Sequence, residues 1–161
     1  MTIKIGDRLP DATFRQMTAD GPAARSTADL FAGKTVVLFA VPGAFTPTCH
    51  KNHMPGFVAN ADAFKAKGVD AIYATSTNDV FVLDAWQKAS NAVDKVGVLA
   101  DGSADFAKAI GLENDMSSFG MGMRSRRYSM LVKDGVVAQL NVEEAPGKAD
   151  VSGAETLLKQ L

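Results

Sequence analysis

An α/β fold with a central mixed β-sheet flanked by helices is predicted by three features of this 161-residue sequence. Short apolar runs alternate with segments of helical periodicity, the pattern of strand-helix-strand units with parallel pairing. Nearer the C-terminus, two alternating runs flank Asp134-Gly135, a dipeptide favoured in two-residue hairpins, so an antiparallel pair joins the parallel strands. A final amphipathic segment carries Leu157, Leu158 and Leu161 and is expected to cover the sheet.

The first strand expected is the run Val36 to Val41, apolar throughout as a strand covered on both faces should be. Beyond Pro42-Gly43-Ala44-Phe45, Thr46 reads as an N-cap and Pro47 as the first helical residue, because proline lacks an amide that a first turn leaves unbonded. Met54, Phe57, Val58, Ala61 and Phe64 continue the helix to Lys67-Gly68, with a kink expected at Pro55 near its second turn. Val69 to Ala74 reads as a strand. Asn78 or Asp79 then caps a helix with Val82, Ala85, Trp86 and Ala89 on one face. A strand over Val96 to Leu99 precedes Ser103, the expected cap of a helix with Phe106, Ala109 and Ile110 inward and Gly111 as its stop. Tyr128 to Val132 and Val136 to Val142 form the hairpin, and Ser152 with Glu155 reads as a capping box for the last helix. This layering is that of a thioredoxin-like domain.

Length predicts a single domain over residues 1–161, and 47% hydrophobic residues suffice for its core. Seventeen basic and eighteen acidic side chains nearly cancel without long blocks of either sign. Neither a nucleic acid nor an anionic membrane has an electrostatic footprint to attract, so neither is an expected partner. The segment Met1 to Arg8 lacks the apolar stretch of a secretory leader, and no run is long enough to cross a bilayer; a cytoplasmic location is expected. A single cysteine excludes an intrachain disulfide.

That cysteine, Cys49, falls at the third position of the helix begun at Pro47. Unpaired amides and the positive end of the helix dipole favour negative charge there, which suits a reactive thiolate. An unpaired cysteine more often behaves as a small buried hydrophobe. Here it lies past a strand end, after a Thr-Pro helix start and among small or polar residues, and reactivity is the better reading.

The Cys-x-x-Cys redox pair of thioredoxins is absent, since Thr46 holds the place of the first cysteine. Pro42, Thr46 and Cys49 instead fit the Pro-x-x-x-Thr-x-x-Cys pattern of peroxiredoxins. The surrounding Pro42 to Cys49, then His53-Met54-Pro55-Gly56-Phe57, Asn78-Asp79 and Gly122 to Ser129, resemble the type II (five-like) branch and span most of the chain. The resemblance implies a thiol peroxidase on a thioredoxin fold. By it, Cys49 is the peroxidatic cysteine, Thr46 the hydroxyl that hydrogen-bonds thiolate and peroxide, Pro42 the shield of the pocket, and Arg127 the guanidinium beside the sulfur. Arg127 fits physically, being permanently charged and rich in donors. Strand alternation also puts it on the opposite face from Arg126. Phe45 and Phe119 are expected to wall the peroxide pocket.

The implied reaction is attack of the thiolate on hydrogen peroxide or an organic hydroperoxide, leaving a sulfenic acid. Some relatives in this branch carry a resolving cysteine shortly before the last helix, where this chain has Val151-Ser152. An external thiol must therefore recycle Cys49: glutathione with or without glutaredoxin is favoured, with thioredoxin as the other donor. A homodimer is expected from the family. No cofactor and no metal are expected, although Cys49, His50 and His53 write Cys-His-x-x-His, because His50 leaves the face shared by the other two. His53 is expected to pack or hydrogen-bond near the site, His50 to be exposed, and Trp86 to lie in the core or an interface. The loop Gly120-Met121-Gly122 lacks the strand and helix that a phosphate loop requires. The alternative function is a peroxide sensor or holdase-like binding protein in which oxidised Cys49 signals to a partner.

Overall fold

In a computed structural model that describes residues 2–161, the chain opens with a hairpin of β1 (Thr13–Thr18) and β2 (Gly21–Ser26), followed by α1 (Thr27–Phe31) and β3 (Thr35–Ala40). Met1, which begins the segment read for a leader, lies outside the described residues. Helical backbone resumes at Pro47 and passes through a π-helical turn, Cys49–His53, into α2 (Met54–Ala59) and α3 (Ala61–Ala66). Then come β4 (Ala71–Ser76), α4 (Val80–Ala89), β5 (Gly97–Ala100) and α5 (Asp105–Ala109). The strands β6 (Glu113–Asp115) and β7 (Met123–Ser125) enclose a loop, and β8 (Tyr128–Lys133), β9 (Val136–Val142) and α6 (Ala154–Lys159) complete the chain.

Seven strands form one mixed sheet in the order β2-β1-β5-β4-β3-β8-β9. β3, β4 and β5 pair in parallel, whereas β8 runs antiparallel to β3 and β9 to β8. β6 and β7 make a separate two-stranded ladder. The expected mixed sheet with flanking helices is the observed one. Central β3 shows why its sequence is apolar throughout: Val37 and Phe39 face one core with Phe57, Leu83, Trp86 and Leu157, and Val36 and Leu38 face a second with Leu30, Phe31, Phe106 and Ile110. Period-two alternation thus feeds two helix layers from one strand.

At Asp134-Gly135 the backbone has φ of 49° and 77°, the left-handed pair that a tight hairpin of this hand requires. Asp79 caps α4 through an Oδ1 that accepts from the Val82 amide at 2.8 Å. Other local expectations are corrected. The buried face of α4 is Val80, Leu83 and Trp86, while Ala85 and Ala89 face solvent. Asp101 rather than Ser103 caps α5, its two carboxyl oxygens accepting from the Phe106 and Ala107 amides at 3.0 and 2.9 Å; Ala107 turns inward and Ala109 outward. Burial pushes the Asp101 carboxyl up, against the pull of those amides. Ser152 forms no capping box, because its hydroxyl donates to Glu143 instead and Gly153 takes the cap position. The Pro55 kink is absorbed by the preceding π-helical turn, in which the Met54 amide reaches back to the Cys49 carbonyl. The break in this region falls later, at Asn60.

Candidate active site

Beyond β3 the chain crosses toward β4, where the Val41 amide donates to the Thr75 carbonyl at 3.1 Å. Asn78 anchors the following turn, its Oδ1 accepting from the Ala44 amide at 2.8 Å and from the Ser76 hydroxyl at 2.7 Å. Phe45 then adopts φ of 63°, left-handed backbone that costs a non-glycine residue energy and is tolerated where the surroundings impose it. This bend delivers Thr46 and the helix start at Pro47, with Cys49 in the first turn as the sequence predicts.

The Thr46 hydroxyl does not cap that helix. Its oxygen stands 2.7 Å from the Gly43 carbonyl and 2.8 Å from Cys49 Sγ, and its single proton serves these two acceptors. When the sulfur is a thiolate it can only accept, and it receives that proton. Arg127 supplies the second donor, Nη2 to Sγ at 2.9 Å. Its Nε donates to the Pro146 carbonyl at 3.0 Å and its Nη1 reaches His53 Nδ1 at 3.0 Å. Arg127 is 2% exposed, and among the described residues the only ion pairs are Lys4–Asp7 and Lys88–Asp84. A buried cation without a carboxylate needs another counter-charge, and the sulfur it touches is the group placed to provide it.

His53 completes the arrangement. Arg127 can only donate, so His53 Nδ1 accepts and the ring proton lies on Nε2, donated to the Ser152 carbonyl at 2.9 Å. Burial first, and the Arg127 charge second, lower the His53 pKa to about 3. Phe39 and Phe57, stacked at 4.1 Å, flank the ring at 4.9 and 5.6 Å. The metal-like spacing of Cys49 and His53 is thus accounted for by two neighbours of one guanidinium. His50 is half-buried rather than exposed, with Nδ1 accepting from Trp86 Nε1 at 3.2 Å, and Trp86 is core.

Cys49 itself is fully buried, whereas Thr46 and Arg127, which touch its sulfur, line a pocket of about 410 Å³. Pro42, Met116, Phe119 and Met121 supply much of its remaining wall. Phe119 is where the sequence suggested, although 76% exposed. Phe45 is not part of this wall; it leans on His50 with ring centroids 5.5 Å apart. Sequence reasoning passed over Met116 and Met121 as pocket residues and gave Arg124 no place in the site, yet Arg124 Nη1 donates to the Pro42 carbonyl at 3.2 Å. It also missed the pair behind His53, in which Glu143 Oε2 accepts from the Ser152 amide at 2.7 Å and hydroxyl at 2.6 Å.

A cysteine sulfur held by a hydroxyl and a guanidinium at a helix start, on a thioredoxin-like sheet, defines a thiol-based redox protein. Residues 4–158 match the family described as Redoxin. Rice Peroxiredoxin-2E-2, chloroplastic, is 50% identical over 99% of this chain and 73% of its own length, and rice Peroxiredoxin-2C is 46% identical over 99% and 98%. Among solved structures, reduced Prx3 of Vibrio vulnificus in complex with H2O2 is 53% identical with a TM-score of 0.94, over 99% of both chains. The Plasmodium falciparum antioxidant protein, a 1-Cys peroxiredoxin, is 28% identical with a TM-score of 0.89, over 99% of this chain and 100% of that one. The chain belongs to the peroxiredoxins, as a one-cysteine variant and a thiol peroxidase.

Proposed function

We propose that the chain reduces hydrogen peroxide and organic hydroperoxides at Cys49 and is recycled by glutathione, alone or with glutaredoxin. The observation that carries this reading is the two-donor cradle on the sulfur, Thr46 at 2.8 Å and Arg127 at 2.9 Å, in a chain with one cysteine. The thiolate attacks one peroxide oxygen and the O–O bond breaks. The departing oxygen takes a proton and leaves as water or an alcohol, while sulfur becomes a sulfenic acid. Arg127 and Thr46 hold the oxygen that gains charge as the bond lengthens, and Pro42 shields the sulfur from bulk water. A first external thiol then displaces water to form a mixed disulfide, and a second releases it, regenerating Cys49 and yielding the oxidised thiol pair.

Apolar walls at Pro42, Met116, Phe119 and Met121 support acceptance of organic hydroperoxides. Binding of H2O2 by the Vibrio vulnificus relative supports the smaller substrate. Phe45 and Phe119, exposed by 48% and 76%, support pairing of two copies through the face near the site. Dependence on an external thiol fits a reducing compartment such as the cytoplasm.

The test is steady-state peroxide consumption with glutathione, glutathione plus glutaredoxin, and the thioredoxin system, compared side by side. Multiple turnovers with glutathione, absent in Cys49→Ser, are expected. Turnover with thioredoxin alone would overturn the choice of reductant, and oxidation of Cys49 without turnover by any donor would favour the sensor.

A further inference from the structure

Arg124 makes no contact with the sulfur, yet it joins two walls of the pocket. Its Nε donates to the Met121 carbonyl at 2.8 Å and its Nη1 to the Pro42 carbonyl at 3.2 Å. Pro42 belongs to the turn ahead of the Cys49 helix, and Met121 to the loop between β6 and β7; both line the pocket. No carboxylate pairs with this guanidinium among the described residues, so its fork is spent on these two carbonyls.

The sequence makes room for that bridge. A Cβ added to Gly43 would stand 3.1 Å from Arg124 Nη1 and 3.3 Å from Thr46 Cγ2. The bridged loop is closed by its own backbone, with the Met116 amide on the Gly122 carbonyl at 2.7 Å and the Met121 amide on the Met116 carbonyl at 3.1 Å. Gly120 and Gly122 have φ of 72° and 68°, and Phe119 projects into solvent. Such a self-contained loop needs a tie if its inner side is to stand at a fixed distance from the Cys49 turn. A planar guanidinium donating in two directions is a stiff tie, because both bonds share one rigid group.

We propose that Arg124 is a positioning residue that sets the width of the hydroperoxide pocket, holding the Pro42 and Met121 walls at a spacing that favours small hydroperoxides over bulky ones. This rests on the peroxide reading of the pocket. It extends that reading from the residues that hold the sulfur to the one that shapes the approach to it. Loss of the tie lets the loop swing outward, loosening the fit around hydrogen peroxide while admitting a large substituent.

Stopped-flow rate constants for Cys49 oxidation by hydrogen peroxide and by cumene hydroperoxide provide the test, in wild type, Arg124→Gln, Arg124→Lys and Gly43→Ala, with Tm measured on each. The cumene-to-hydrogen-peroxide ratio should rise at least about threefold in Arg124→Gln, a modest change for a discrimination set by pocket shape. Lysine reaches one carbonyl but cannot fork to two, so Arg124→Lys should fall between glutamine and wild type. Gly43→Ala pushes the guanidinium from the opposite side and should raise the same ratio, which keeps the test decisive if Arg124→Gln does not fold. A ratio that rises by less, or falls, overturns the role whatever the Tm, since a purely structural arginine lowers both rates together. Failure of the wild type to consume either hydroperoxide overturns the peroxide reading itself.

Discussion

Arg127 Nη1 donates to His53 Nδ1 across 3.0 Å, which fixes His53 as a neutral ring with its proton on Nε2. The guanidinium that contacts Cys49 Sγ is therefore seated on a histidine that cannot take up a proton without giving up Arg127. That makes pH a structural variable of the site, with a calculable direction.

Unfolded, His53 protonates near 6.5; folded, it does so at about 3. Between these values the unfolded chain binds the extra proton, so stability from this ring is complete above about 6.5 and is lost as pH falls toward 3. The full loss is on the order of 5 kcal/mol for a ring this buried. Urea unfolding at pH 7.5, 5.5 and 4.5 should show wild type losing stability more steeply than His53→Gln. Equal slopes would remove His53 from the acid response.

Arg127→Gln removes the buried cation and leaves Cys49 Sγ with Thr46 as its remaining side-chain donor. Loss of one preorganised donor at a developing charge slows such reactions by about 10²–10³-fold. Oxidation by hydrogen peroxide should slow by that order, because the reacting sulfur and the departing oxygen have lost their fixed cation. Arg127→Lys, with charge but no fork for His53, should sit between. A glutamine variant that reacts at the wild-type rate at neutral pH would dismiss the guanidinium from the chemistry.

Thr46 is testable by an isosteric pair. Thr46→Val keeps the shape and deletes the proton shared by Gly43 O and Cys49 Sγ. A hydrogen bond to a charged acceptor is worth about 1.5–3 kcal/mol, so the oxidation rate should drop by roughly ten- to a hundredfold. Thr46→Ser should retain most of it. Equal losses in both variants would point to packing of the Thr46 methyl instead.

The parts of the site legible in the sequence are those set by local chemistry. Arg127, in the link between β7 and β8 and outside any strand alternation, is buried beside half-buried Arg126 and is reachable only through the family resemblance; Thr46, Pro47 and Cys49, by contrast, lie within one turn. Asp134-Gly135 fixed its hairpin for the same reason, since left-handed φ is a property of the dipeptide. What stayed hidden depends on contacts between distant segments. His53 meets Arg127 across 74 positions and Arg124 meets Pro42 across 82, and nothing in the local pattern at either end reports the other. The first hairpin escaped for a different reason: β2, Gly-Pro-Ala-Ala-Arg-Ser, is an edge strand with no fully buried residue, so it carries no apolar alternation. Ser152 and Glu155 misled because a capping-box spacing is a local signal, and the buried Glu143 carboxyl outcompetes it for the hydroxyl.

That competition separates stability from chemistry at one residue. Ser152 gives two donors to Glu143 Oε2, its amide at 2.7 Å and its hydroxyl at 2.6 Å, and presents its carbonyl to His53 Nε2. Glu143 is 4% exposed and has no ion pair among the described residues, so these donors carry much of its solvation. Ser152→Ala deletes the hydroxyl alone. The amide still holds Glu143, and the carbonyl that orients His53 belongs to the backbone and remains. Stability should fall by about 1.5–3 kcal/mol, the worth of a charge-assisted bond, while the rate of Cys49 oxidation stays within about threefold of wild type. Glu143→Ala should lose both, because the Ser152 amide and hydroxyl are then buried without an acceptor and the segment carrying the His53 partner is free to shift. Chemical denaturation paired with stopped-flow oxidation reads the two quantities independently. A Ser152→Ala protein as stable as wild type but slow to oxidise would reverse the assignment, placing the hydroxyl in the path to the sulfur.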